Sequence, residues 1–262
     1  MPQFTARAGT ARVVVHATPE LSAAAAAEKF ADAVLVTLRT KLACNVVFAG
    51  AQSQMPFHAA LVQRTDINWS RINAFSVDDF YSPGMPAEYA VAAQPQRDLY
   101  AHVKLKSIHV LDYKAQDPYA ECRRYAALLN KFPTDIACIG IGISGHLALN
   151  EPGDTKFNDP ELVRLVVVPE LSQQQLMTDP NFQALGVIPK KGLTMTIPAI
   201  LRAQTILAIV PYALKAGILR TVLSCPVSEA VPASVLKTHP NTTLYLDNDS
   251  FANSRDLALS PA

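Results

Sequence analysis

Ile136-Ala137-Cys138-Ile139-Gly140-Ile141-Gly142-Ile143-Ser144-Gly145-His146-Leu147-Ala148-Leu149-Asn150-Glu151-Pro152-Gly153 is the stretch whose reading decides the fold. Its first four residues form a short apolar run, the pattern of a strand buried on both faces of a parallel sheet. The glycines that follow let the backbone turn sharply and bring its amides close to a ligand. In an open α/β sheet the crevice beyond a strand's carboxyl end is where ligands bind. His146 and Glu151 fall at that point. A histidine exchanges protons near neutral pH, and a neighbouring carboxylate can fix its tautomer and stabilise its charged form. A glycine-rich turn with a solvated histidine satisfies the same spacing.

Composition narrows the setting. A chain of 262 residues, half of them hydrophobic, has the length to bury a core and is read as one domain over 1–262. A net charge of +1 leaves no electrostatic footprint for nucleic acid or an anionic membrane. No run approaches the roughly 18 apolar residues that span a bilayer. The Ala-rich segment Ser22–Leu42 is broken by Glu28, Lys29, Asp32 and Arg39. Met1-Pro2-Gln3-Phe4 lacks the basic-then-apolar start of a secretory signal. Cys44, Cys122, Cys138 and Cys225 are scattered and mostly beside apolar residues, which suits buried thiols in a reducing cytoplasm. No His/Cys cluster has zinc spacing, so no metal is expected.

Outward from the opening stretch, strands and helices alternate. Strands are expected at Ala11–Ala17, Val46–Ala49, Ile72–Val77, Ile108–Leu111, Leu162–Val168, Thr205–Val210 and Thr243–Leu246, the last closing the sheet. Thr18-Pro19-Glu20 reads as a helix start, with Pro in the first turn and an acid at the positive end. That helix runs to about Leu42. Others are expected at 54–64, 96–103, 119–132, 172–177, 180–185 and from about Pro198, with an irregular Pro-rich loop over 82–96 whose place after Asp78 suits a substrate-covering segment or a plain surface connection. This alternation predicts a single-domain α/β fold, a doubly wound, mainly parallel Rossmann-like sheet with helices on both faces. The last residues are expected to fray.

Two further positions draw attention. Asp78-Asp79-Phe80 stands at the end of a strand, where adjacent acids point to opposite faces, so at most one lines a given crevice. A polar strand terminus would read the same. Lys215 stands near a helix start, where a cation opposes the helix dipole. A bound anion would account for it, and so would a solvated lysine.

The stretch from Gly140 to Gly153 resembles the signature of the glucosamine-6-phosphate deaminase/isomerase family, and in particular the galactosamine-6-phosphate isomerase subgroup. The related 6-phosphogluconolactonases share the Gly-His but usually lack Asn-Glu-Pro, so Asn150-Glu151-Pro152 favours the deaminase side. Val231-Pro232-Ala233-Ser234 is similar to a downstream element of the family. The resemblance implies that Val77-Asp78-Asp79-Phe80 carries the acid–base carboxylate at Asp78, that His146 with Glu151 assists ring opening, and that Lys215 contacts phosphate. It implies substrate contacts at Gly50, Gln52, Ser53, Ser144 and Gly145. It implies no cofactor and a small-molecule sugar-phosphate substrate, and leaves room for a homo-oligomer. The implied reaction converts a 2-amino-2-deoxy-hexose 6-phosphate to a ketose phosphate and ammonia. A lactonase, or a non-catalytic sensor on the same fold, are the alternatives.

The chain departs from the family pattern twice. Ser144 stands where the deaminases commonly have Asp, and a neutral hydroxyl cannot stabilise an imidazolium by charge. The phosphate loop, rich in Gly, Ser and Thr in the family, here reads Gly50-Ala51-Gln52-Ser53-Gln54-Met55-Pro56. The family's phosphate-clamping arginine has no counterpart among residues 172–177.

Overall fold

A computed structural model describes residues 1–177 and 188–261. The helix expected at 180–185 lies outside the described residues. In chain order the strands are β1 (Phe4–Ala8), β2 (Ala11–His16), β3 (Cys44–Phe48), β4 (Ile72–Ser76), β5 (Asp78–Phe80), β6 (Ser107–His109), β7 (Ile136–Ile139), β8 (Val163–Val167), β9 (Lys191–Met195), β10 (Thr205–Val210), β11 (Thr242–Asp247) and β12 (Ser260–Pro261). The main sheet has nine strands in the order β12-β1-β2-β11-β10-β7-β3-β4-β6. It is parallel from β2 to β6, with β1 antiparallel to both of its neighbours.

Alternation along the central strands sends side chains to two separate cores. Val47, Ala137, Ile139, Ile206, Ala208, Leu244 and Leu246 join one apolar cluster. Their neighbours Val46, Phe48, Ile136, Cys138, Leu207, Ile209 and Tyr245 join the other. A strand buried on both faces needs apolar residues at every position, which explains the uninterrupted runs.

Helix α1 (Pro19–Thr40) covers the second cluster. Thr18 caps it, its hydroxyl accepting from Leu21 N at 3.3 Å, and Pro19 opens the first turn. Ala23, Ala26, Ala27, Phe30, Ala31 and Val34 form its buried stripe, at helical spacing. The alanines let the backbone approach the sheet, and Phe30 fills the gap against Phe48, Phe57 and Trp69. Truncating such a ring to Ala costs about 3–5 kcal/mol. Helix α2 (Met55–Val62) packs beside α1. The opposite face carries Tyr125 and Leu129 of helix α4 (Pro118–Lys131), Leu219 and Val222 of the helix Ala216–Ser224, and the helix Ile197–Leu201.

Four expectations are revised. β11 does not close the sheet: it lies between β2 and β10, and β6 and β12 are the edges. Ser260 and Pro261, expected to fray, pair with Arg7 and Ala6. The strand at 162–168 is outside the parallel sheet, since β5, β9 and β8 make a separate antiparallel one. Helix α3 spans Ala93–Asp98 rather than 96–103, with a 3₁₀ turn at Tyr100–His102 after it. Among the described residues no helix is long and apolar enough to cross a membrane.

From β3 the chain winds outward through β4 and β6, then returns to lay β7 on the other side of β3 and continues to β10 and β11. The order reverses between β3 and β7. Their carboxyl ends lead into Ala49–Gln54 and Gly140–Gly142, so the fold opens its crevice there.

Candidate active site

A cavity of about 760 Å³ occupies this crevice. Its walls come from the loop after β3, from β5, from the 88–97 segment, from the Gly140–Glu151 stretch, from Ser172 and from residues 212–215 after β10.

The Gly140–Glu151 loop is built around the histidine ring. Gly142 N donates to His146 O and Gly145 N to Gly142 O, both at 3.0 Å. The imidazole then lies so close over Gly142 that a methyl group there would sit 1.9 Å from His146 Nε2. Gly145 takes φ +86° and Ala148 φ +54°. The second is unusual for a residue with a side chain. Asn150 offsets that strain: its Nδ2 donates to Leu147 O and to Met195 O at 2.8 Å each, tying the loop to β9. Glu151 is thereby set with Oε1 2.9 Å from His146 Nδ1. Ser144 Oγ donates to Glu151 Oε2 at 2.6 Å and lies 2.8 Å from His146 Nδ1. Ser172 Oγ donates to Glu151 Oε1 at 2.5 Å. Burial alone would raise the Glu151 carboxyl, but these hydrogen bonds and the imidazole hold it down at about 2. An ionised Glu151 accepts from Nδ1–H, which leaves Nε2 as the proton-accepting nitrogen.

β4 ends at Ser76, and after Val77 the chain changes sheets: Asp78 pairs with Thr194 and Asp79 with Leu193. The two acids face different surroundings. Asp78 lines the cavity, 8 % exposed, and burial followed by the charge of Asp79 pushes its carboxyl up to about 8. Asp79 is fully buried and accepts from Phe80 N and Val91 N at 2.8 Å and from Ala92 N at 3.1 Å. Burial pushes it up to about 7, with those amides pulling against the shift.

Lys215 caps the helix Ala216–Ser224 and lines the cavity. The turn before it is strained. Tyr212 has φ +80° and ψ +147°, a conformation that side chains disfavour. Asp247, fully buried, holds it by accepting from Tyr212 N at 2.8 Å and from the amides of Asp249 and Ser250. Burial lowers the Lys215 ammonium to about 8. Among the described residues Lys215 has no ion pair, and none of their acid, His and Cys groups could hold a metal ion.

The family described as glucosamine-6-phosphate isomerases/6-phosphogluconolactonase matches residues 17–245. The chain belongs to this family. It is 29 % identical over 240 residues to a glucosamine-6-phosphate deaminase of Bacillus thuringiensis strain Al Hakam, covering 92 % of this chain and 88 % of that one. A monomeric glucosamine-6-phosphate deaminase of known structure is 27 % identical with a TM-score of 0.81, over 92 % of this chain and 99 % of the other. The 6-phosphogluconolactonase of Trypanosoma brucei shares the fold at 18 % identity, with a TM-score of 0.73 over 92 % and 98 % of the two chains.

Within this isomerase/lactonase fold, Asp78, His146, Glu151, Lys215, Gly50, Gln52 and Ser53 all line one cavity. Ser144 and Gly145 do not. Ser144 lies behind the imidazole, and Gly145 is turned against Ile218 and Val231, its carbonyl accepting from Ala233 N at 2.7 Å. The Val231–Ser234 element therefore braces the loop from outside. The reason is geometric: the left-handed turn at Gly145 points the loop's inner edge, at Gly142 and His146, toward the crevice. Reading the sequence missed Ser172 and the charged and polar side chains of the 88–97 segment. A serine in Ser172-Gln173-Gln174-Gln175 carries no local signal, since its partner Glu151 is 21 residues away.

Proposed function

We propose that this protein is an amino-sugar-phosphate deaminase/isomerase, acting on a 2-amino-2-deoxy-hexose 6-phosphate. The observation that carries the reading is the position of Asp78 and the His146–Glu151 pair on one cavity wall system with Lys215. His146 Nε2 takes the proton of the C1 hydroxyl and delivers one to the ring oxygen, opening the sugar. Glu151 holds the imidazole by Nδ1 and stabilises it while it is charged. Asp78 then removes the proton from C2 and returns it to C1. The enolamine becomes a C2 iminium; water adds at C2 and ammonia leaves, giving the ketose phosphate. A carboxylate whose proton affinity lies near neutral serves this shuttle better than an exposed one, because it must both accept and donate.

Lys215 is suited to the phosphate. Its ammonium is half-buried with no counterion among the described residues, and an arriving dianion would supply one. The test is release of ammonia and ketose phosphate from gluco- and galacto-configured amino sugars, each with and without the 6-phosphate, by the wild type and Lys215→Ala. The 6-phosphate raises kcat/KM, and Lys215→Ala erases that advantage chiefly through KM, since the phosphate is remote from the reacting carbons. Acid release from a sugar lactone without ammonia from any amino sugar would overturn the reading.

A further inference from the structure

Two of the hydrogen-bond donors in the loop Gly50–Met55 are already committed within the protein. Gln54 is buried and its Nε2 is committed to Ile209 O at 3.2 Å and Ser53 Oγ at 3.1 Å. Ala51 N–H is also taken, donating to Gln94 Oε1 at 3.0 Å. Lys215 adds one cation to what the loop offers, and one ammonium is a strongly hydrated point charge.

The same hydrogen bond shows what compensates. Gln94 belongs to α3, and α3 is docked on the loop with no space between. A methyl group at Gly50 would lie 2.3 Å from Val91 O and 3.1 Å from Pro95 Cδ. Gln94 Nε2 donates to Asp98 Oδ2 at 2.7 Å and lies 3.3 Å from the fully buried His58. Asp79 ties the start of this segment to the β5 strand through Val91 N and Ala92 N. So the start of the helix is fixed against both the loop and the β5 strand, and the helix carries Arg97 on the cavity wall. Asp98 Oδ1 accepts from Arg97 Nε at 2.8 Å and Oδ2 from one Nη at 3.4 Å, while the second Nη takes no part in the pair. Arg97 and Lys215 are the two ordinarily cationic side chains that line the cavity among the described residues.

We propose that Arg97 is the second cationic contact for the phosphate of the substrate, contributed by the segment covering the cavity. It rests on the sugar-phosphate reading above and assigns that site a residue from 88–97 in place of one from 172–177. A guanidinium presents a planar fork to phosphate oxygens, which an ammonium cannot.

The experiment is calorimetric titration of a ketohexose 6-phosphate, the unphosphorylated ketohexose and inorganic phosphate into wild type, Arg97→Gln, Arg97→Lys and Lys215→Ala. Thermal melting of each variant checks the fold. Arg97→Gln is expected to weaken the 6-phosphate ligand and inorganic phosphate by roughly 10- to 100-fold, as loss of a charge-assisted contact does. The unphosphorylated sugar should bind as before, and Arg97→Lys should recover only part of the loss. In turnover the effect should appear in KM and leave kcat within about 3-fold, the signature of uniform binding. Equal phosphate affinity in wild type and Arg97→Gln overturns the assignment, as does equal weakening of both sugars or failure of the wild type to bind phosphate. If Arg97→Gln loses the phosphate ligands but no amino sugar releases ammonia, Arg97 stands and the deaminase reading falls.

Discussion

Ser144 donates its hydroxyl proton to Glu151 Oε2 at 2.6 Å, spanning the loop that carries His146. This contact gives the residue a function without placing it against substrate. It fixes the carboxylate that in turn fixes the imidazole, and it supplies a hydrogen bond where the family more often supplies a charge. Ser144→Ala should therefore lower kcat by roughly 10-fold, the worth of one hydrogen bond to a charged group, and leave KM nearly unchanged. With one donor gone, the Glu151 carboxyl should titrate above its present value of about 2. The acid limb of the kcat profile should move to higher pH, and a limb that stays put would show that Ser144 does not hold Glu151.

Asp78→Asn replaces the proposed proton shuttle with an amide of the same shape. Its kcat should fall by roughly 10²–10⁴-fold, the usual effect of losing a general base. Stability should move the other way. The folded-state proton affinity of Asp78 is raised to about 8 from an ordinary 3.8, so the wild type loses stability as pH climbs through that window. The melting temperature of Asp78→Asn should exceed that of wild type by a margin that widens from pH 4 to pH 8 and then levels. A margin independent of pH would remove the assignment of Asp78 as the raised carboxyl.

Asp79→Asn looks mild from sequence, because its side chain points away from the crevice. The structure makes it costly for stability. The carboxylate accepts three buried or half-buried backbone amides, from Phe80, Val91 and Ala92, and an amide oxygen cannot serve them all. Each donor left unsatisfied costs about 1–3 kcal/mol. The expected result is a lowered melting temperature and faster amide exchange over residues 80–92, with KM raised as the covering segment loosens. Unchanged exchange at Val91 and Ala92 would contradict it.

Gly142→Ala tests the packing of the imidazole directly. The added methyl would collide with the His146 ring, which must swing away. The variant should fold, since Gly142 is not held at a positive φ, yet lose most of its kcat. Full activity would mean that His146 works from another rotamer.

Short-range physics made much of this chain legible from sequence. The strand–glycine–His signature, the Thr18 cap with Pro19, and the uninterrupted apolar strands each follow from sterics and hydrogen bonds within a few residues. They were enough for the fold class and for placing Asp78, His146, Glu151 and Lys215 near strand ends. What escaped depends on partners far apart along the chain. β12 is two residues long and exists because β1 offers a free edge more than 250 residues earlier. Ser172 becomes a ligand of Glu151, and Gln94 a ligand of Ala51, only once β3 and β7 part and bring their loops to one crevice. The altered proton affinities of Asp78 and Lys215 have the same origin, since desolvation comes from residues that folding assembles around a charge. Local sequence determined which groups were available for chemistry; the tertiary structure decided which were buried, which were paired, and which faced the cavity together.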